Sequence, residues 1–191
     1  MLKLTVVNRC LATLGESPLN SLDDSHAFLG TALDLLDQKS LEVQSPGRWF
    51  NTETLKLTPS PLDESLYLPG DVLEVNTGSA HIVQRGNRLY DLDKGTFRFT
   101  SPVTVLIIRN VDFEQLPAVV ATYIAELTVH RFQAEYDGDQ QKTALLGQAV
   151  GQALREFGRA ETRNRNINLI HSHVGLTRLL WLTRNVRGST R

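Results

Sequence analysis

Cysteine, methionine and long apolar runs are what this sequence has least of. One cysteine, Cys10, stands among 191 residues, so no disulfide can form within the chain, and a reducing compartment suits it. No apolar stretch approaches the ~18 residues a membrane helix needs, and no secretory leader pattern is present. The chain is therefore expected neither to span a membrane nor to be exported by the usual route. Neither sign of charge is in excess overall, with 20 Lys and Arg against 21 Asp and Glu. No internal repeat or low-complexity tract is visible. The length suits one domain, or a domain carrying an insertion, with enough chain to bury a real core.

Catalytic signatures are also missing. There is no GxSxG, P-loop, HExxH or GxGxxG. His171 and His173 would lie on one side of an extended segment, but a metal site needs three or four ligands in reach. None cluster there, and His26, His81 and His130 are scattered, so neither metal nor cofactor is expected. Cys10 falls inside a helical pattern, where a small buried apolar residue is the default. Asp91 and Asp93 flank a turn, and Asp63-Glu64 sits in a loop. Either pair can be imagined as the carboxylates of a carbohydrate hydrolase, although acids in turns ordinarily cap or face solvent.

What is present begins with helices. Leu4, Val7, Leu11 and Leu14 line one face of a helix from about Leu2 to Leu14, stopped by Gly15 and Ser17-Pro18. Asp23 or Asp24 caps a second helix to about Gln44, with a stripe of Leu29, Ala32, Leu33, Leu36, Ser40 and Val43. Pro117 opens a third helix to Tyr136. Asp139 to about Thr162 is a fourth, striped by Leu146, Val150, Ala153, Leu154 and Phe157. Gly147, Gly151 and Gly158 recur on it. Glycine costs a helix about 1 kcal/mol against alanine, so close packing is implied, either inside the subunit or against a neighbour. Asn164 to Asn168 reads as a turn.

Between the second and third helices the signals change to strands. Trp49 to Thr58 alternates, Asp71 to Val75 is a short strand, and Pro59-Ser60-Pro61 is a rigid connector. Gly86-Asn87 between Ile82–Arg85 and Arg88–Asp91 is a two-residue hairpin turn. Asp93-Lys94-Gly95 is a second turn. Thr96 to Thr100 alternates with Phe97 and Phe99 on one face. Val103 to Ile108 is nearly all apolar and β-branched, as for a strand buried on both faces. The fold class is thus α+β: a bundle of about four helices with an antiparallel sheet or sandwich inserted between helices 2 and 3. By range, 1–48 and 110–162 form the bundle, 49–109 the β insertion and 163–191 an extended C-terminal arm.

Charge is unevenly placed. Residues 1–154 carry 12 basic and 19 acidic side chains, whereas 155–191 carry eight arginines and two glutamates. An arginine-rich tail can bind phosphate through its planar fork, and a nucleic-acid-binding protein is one alternative reading. A contact between oppositely charged protein surfaces is another.

Several segments are distinctive as a set: VNRCLATLGESPLNSLD (7–23), GRWFNTE (47–53), the RGNRLYD hairpin, RF before the long strand, the VLIIR strand, DFEQLP (112–117) and YIAELTVHRFQAEYDG (123–138). Together they resemble the tail tubular protein A family of short-tailed bacteriophages, also called the gatekeeper or head-to-tail adaptor. The match does not extend past about Arg163. The resemblance implies a non-enzymatic virion protein of the tail, assembled in the host cytoplasm. It implies a dodecameric ring that joins the portal protein to the tubular nozzle protein (tail tubular protein B), with tail fibres attached nearby. Genomic DNA would pass through the ring without sequence-specific binding, and no membrane is involved. On that reading Arg163, Arg165, Arg178, Trp181, Arg184, Arg187 and Arg191 are expected to dock on the portal. Arg85, Gly86, Asn87, Arg88, Asp93, Lys94 and Gly95, at hairpin tips, are expected to face the nozzle or fibres. A virion-associated carbohydrate hydrolase is the remaining alternative.

Overall fold

Apolar stripes at helical spacing build the first half of the molecule. The computed structural model describes residues 1–171, with side chains through Arg165. Helix α1 (Lys3–Thr13), α2 (Leu29–Gln44), α3 (Ala118–Tyr136) and α4 (Gln140–His171) form a bundle. Its core takes Val6, Val7, Cys10 and Leu11 from α1, Ala32, Leu35, Leu36 and Val43 from α2, Val120 to Phe132 from α3 and Phe157 from α4. Burying each such large side chain contributes about 1.5–3 kcal/mol. Cys10 is fully buried, and burial pushes its thiol up to about 12, so it behaves as a small apolar residue.

Three of the helical expectations shift. Helix α2 starts at Leu29, not beside Asp23 or Asp24. The Asp24 carboxylate instead accepts from the Asn20 and Ser21 N–H groups, closing an earlier turn. Phe28 then opens the helix by packing edge-on against Phe132 and Tyr136. The second shift is at the chain's far end: α4 runs unbroken to His171, so the turn expected at Asn164–Asn168 is helical. Asn164 lets the helix pass by bonding its side chain back to the Ala160 carbonyl. Third, Leu154 lies off the α4 stripe and is 47% exposed, while the buried stripe runs through Ala153 and Phe157 to Ala160. Of the helical glycines, Gly147 lies against His130 of α3, whereas nothing but α4's own Arg155 would meet a Cβ at Gly151, and nothing would at Gly158. Among the described residues, close packing inside the subunit accounts for Gly147 alone.

The insertion is a β module of two small sheets. Strands β1 (Thr52–Leu57), β2 (Val72–Asn76) and β5 (Val103–Arg109) form an antiparallel sheet in the order β1-β5-β2. Strands β3 (Ile82–Arg85) and β4 (Arg88–Asp91) form the hairpin, in the register Arg85↔Arg88 that a two-residue turn dictates. A second core joins Leu57, Leu66, Leu68, Leu89, Phe99, Val105 and Ile107. Strand β5 is central but buried on one face, since Thr104 and Leu106 are exposed. Only one side of the sheet is covered, and the β-branched run reflects that side plus pairing at both edges. Thr96 to Thr100 is not a strand. Thr96 bridges to Asp91 and Arg98 to Ser65, so neighbouring residues pair with different segments and no ladder forms.

The two modules meet through a buried polar joint. Gln44, at 0% exposed, donates to Ser40 Oγ, Asn110 Oδ1 and the Val111 carbonyl and accepts from the Val111 N–H at 2.8 Å. Asn51 donates to the carbonyls of Gln44 and Arg109 and accepts from the Arg48 N–H. Arg109 closes the outer side with a bidentate fork on Asp71 and a third bond to Glu53 at 2.7 Å. That fork holds the Asp71 carboxyl below its usual range. Gly47 completes the corner: its φ of +71° favours glycine, and a Cβ there would lie 2.7 Å from Ile108 Cδ1.

Candidate interface

Alternation along the hairpin decides what it shows to solvent. Ile82, Gln84, Leu89 and Asp91 share one face, and Leu89 is buried in the second core. Val83, Arg85, Arg88 and Tyr90 share the other. On that outer face the side chains stack into a ladder. The Arg85 guanidinium lies 3.8 Å from the Tyr90 ring centroid. Tyr90 meets Phe97 edge-on at 4.8 Å. Arg88 covers Phe97 at 4.2 Å and lies 6.0 Å from Tyr67. The Tyr67 hydroxyl donates to Asp63 at 2.9 Å, and Arg88 stands 3.9 Å from the same carboxylate.

The expected nozzle-facing residues therefore divide. Arg85, Gly86, Asn87 and Arg88 sit together at the hairpin tip, with Gly86 at φ +63°. Asp93, Lys94 and Gly95 form the turn at the opposite end of β4, closed by the Asp91–Thr96 pairing. That second turn meets its own polar needs. Asp91 Oδ1 accepts from the Asp93 and Lys94 N–H groups, Lys94 Nζ lies 3.6 Å from Asp91, and Asp93 pairs with His81 at 2.9 Å. These bonds hold the Asp91 carboxyl below its usual range, which suits a turn cap and not a proton donor. Among the described residues no group of three or more His, Cys, Asp or Glu is placed to hold a metal ion. No described helix is long and apolar enough to cross a membrane.

Of the expected portal-facing residues, Arg163 and Arg165 are exposed on α4. Arg165 lies 3.3 Å from Glu161, whose other oxygen receives Arg48 at 2.8 Å. This triad ties α4 to the corner after α2. Arg178, Trp181, Arg184, Arg187 and Arg191 lie outside the described residues, as does the side chain of His171 and all of His173. Tyr67, Tyr90 and Phe97, which carry the ladder, went unremarked in the sequence as interface residues. Their signal was available only at Tyr90, an aromatic beside the paired-arginine turn.

Asp63 gives the interface a pH signature. Bonds from Ser65, then Tyr67, pull its carboxyl down to about 2. The folded-state value lies below the unfolded one, so its contribution is complete above the ordinary carboxylate value and is lost as pH falls from about 4 to about 2. A carboxyl-detected NMR titration should show the Asp63 midpoint well below the ordinary carboxylate value. Titration of Asp63 at an ordinary carboxylate value would mean that the Ser65 and Tyr67 bonds are not held in solution.

Similarity to known proteins converges with this anatomy. The sequence model for the family described as tail tubular protein matches residues 4–167. Tail tubular protein A of Klebsiella phage KP34 is 34% identical over 131 residues, covering 67% of this chain and 69% of that protein. The match spans both modules and the joint between them, and on that basis the chain belongs to the tail tubular protein A family, the structural components of phage virion tails.

Proposed function

We propose that this chain is a head-to-tail adaptor: copies form a dodecameric ring that joins the portal to the nozzle and encloses part of the channel through which DNA is ejected. The observation that carries the reading is the buried joint of Gln44, Asn51 and Arg109. It makes one body of a helical bundle and a β module, as a part that must bind different neighbours at its two ends and carry load between them requires. In this reading the helices make the lateral ring contacts, since long helices suit repeated packing. The β module faces the nozzle and the tail fibres, because hairpin tips on a rigid support are suited to recognition. The segment after about Arg163, rich in arginine, docks on acidic groups of the portal. The bore is neutral to acidic, as the excess of acidic side chains in residues 1–154 suggests. Arginines lining it would hold phosphates and slow ejection.

Negative-stain imaging of the purified full chain, alone and mixed with its portal and nozzle proteins, tests this. Closed rings that stack between portal and nozzle are expected. A chain that stays monomeric with both partners present, or that binds DNA with steep salt dependence and no ring, overturns the proposal.

A further inference from the structure

The loop between β1 and β2 carries a side chain that the described residues leave uncovered. Leu62 is 97% exposed. One exposed leucine is unremarkable by itself; the frame around this one is not. The Glu64 N–H donates to the Ser60 carbonyl and the Ser60 N–H to the Ser65 carbonyl, both at 2.9 Å. The Ser65 N–H donates to Asp63 Oδ1 and the Leu62 N–H to Ser60 Oγ. Pro59 and Pro61 restrict φ on the approach. The far end is anchored by the buried Ser65 and Leu66, and by the Phe99 N–H donating to the Glu64 carbonyl at 2.9 Å. Leu62 is thus held out on a stiff loop, and little conformational freedom remains to be lost when it meets a partner.

Asp63 connects this knob to the hairpin ladder. Its carboxylate takes the Tyr67 hydroxyl and lies within ion-pair reach of Arg88. Across the hairpin Arg85 and Arg88 stand directly opposite on the same face, an arrangement of like charges that is ordinarily unfavourable. Each is steadied on an aromatic ring, at 3.8 Å for Arg85 on Tyr90 and 4.2 Å for Arg88 on Phe97. Among the described residues Asp63 is the carboxylate in ion-pair reach of this pair, and it serves Arg88. The patch therefore presents an apolar knob beside two guanidiniums, of which one has no carboxylate in reach among the described residues, on a chain segment that is otherwise net acidic.

We infer that Leu62 and the Arg85–Arg88 pair form one docking surface, in which Leu62 enters an apolar socket of a partner protein whose rim carries carboxylates for the two arginines. The ladder does not suit nucleic acid. The faces of Tyr90 and Phe97 are already covered by guanidinium groups and are not free to stack bases. A protein surface with an acidic rim satisfies the charge and the apolar tip together, and Arg is among the residues in which interface energy concentrates.

The inference rests on the proposal that the β module faces the nozzle, so the probe is the purified nozzle protein of the same phage, titrated against the full chain. Leu62→Ser should weaken binding by about tenfold or more, and Leu62→Met by less than about threefold. Arg85→Gln combined with Arg88→Gln should weaken binding and flatten its salt dependence. Leu62 is exposed, so folding and ring formation should be unaffected by its replacement, which imaging and circular dichroism check. If the unaltered chain binds and Leu62→Ser binds equally well, the anchor is wrong while the nozzle-facing reading stands. If the unaltered chain does not bind the nozzle protein, the nozzle-facing reading fails and this inference with it. If the arginine changes abolish binding to duplex DNA while nozzle binding is unchanged, the surface is a nucleic-acid surface and the inference is overturned.

Discussion

Gln44→Leu is expected to lower the unfolding free energy by about 3–5 kcal/mol. Leucine has nearly the volume of glutamine, so little of the loss would come from a cavity. It would come from groups left without partners. The Val111 N–H loses its acceptor, and the Val111 carbonyl and Asn110 Oδ1 lose their donor. A fully buried group so orphaned costs about 1–3 kcal/mol, and less where water reaches it, as at the half-buried Val111 and the exposed Asn110. Ser40, also buried, loses the amide that its hydroxyl oxygen accepts from. Denaturant unfolding followed by circular dichroism is the measurement, with the midpoint shifting at unchanged slope. A loss under about 1 kcal/mol would mean that water enters the joint and replaces the glutamine. The two modules would then be coupled more loosely than an adaptor carrying load requires.

Much of the fold was open to reading before the structure, for identifiable reasons. Helical stripes such as Val7 and Leu11 report burial directly, because one period fixes one face, although Leu4 stays outside the core and Val6 and Cys10 join it. The Gly86-Asn87 turn set both its strands and their register, since two residues leave a hairpin one alignment. The misreadings share a cause: each turned on which partner a group finds in the fold, near or far in sequence. Asp24 looks like a helix cap until Asn20 and Ser21 claim it. The run from Thr96 to Thr100 looks like a strand until Asp91 and Ser65 pair with different parts of it. Gln44 looks like the last residue of a helix, and nothing local reveals that Val111 will close on it. The candidate interface was legible in part. Paired arginines around a glycine turn mark a tip, but Tyr67 and Phe97 reach the ladder only through the tertiary fold, and the second turn proved to satisfy itself. Leu62 lay inside a stretch that reads as a plain connector, and its exposure is a fact of packing alone.

Leu89→Ala should separate the two modules experimentally. Leu89 is 0% exposed and belongs to a core of seven buried side chains, against seventeen in the bundle, among the described residues. A buried Leu→Ala change costs about 2–5 kcal/mol, more where the site cannot collapse. In so small a core there are few neighbours to move in, and the hairpin is tied to the rest through single bonds such as Leu89 N–H to the Leu66 carbonyl and Leu68 N–H to the Asn87 carbonyl. The loss should therefore fall on the β module as a local opening and leave the bundle intact. Hydrogen exchange reads this directly: amides of Leu68, Leu89 and Phe99 should exchange faster by about a hundredfold or more, while those of α1 and α3 keep their protection. Under the adaptor proposal the same variant should still form rings and should fail to hold the nozzle, because the side chains of the ladder and the Leu62 loop are mounted on the damaged core. Equal acceleration across both modules would instead make the chain one cooperative unit, with the joint strong enough to transmit every loss from sheet to helices. In that case assembly of the ring and attachment of the nozzle could not be impaired separately by changes in either core.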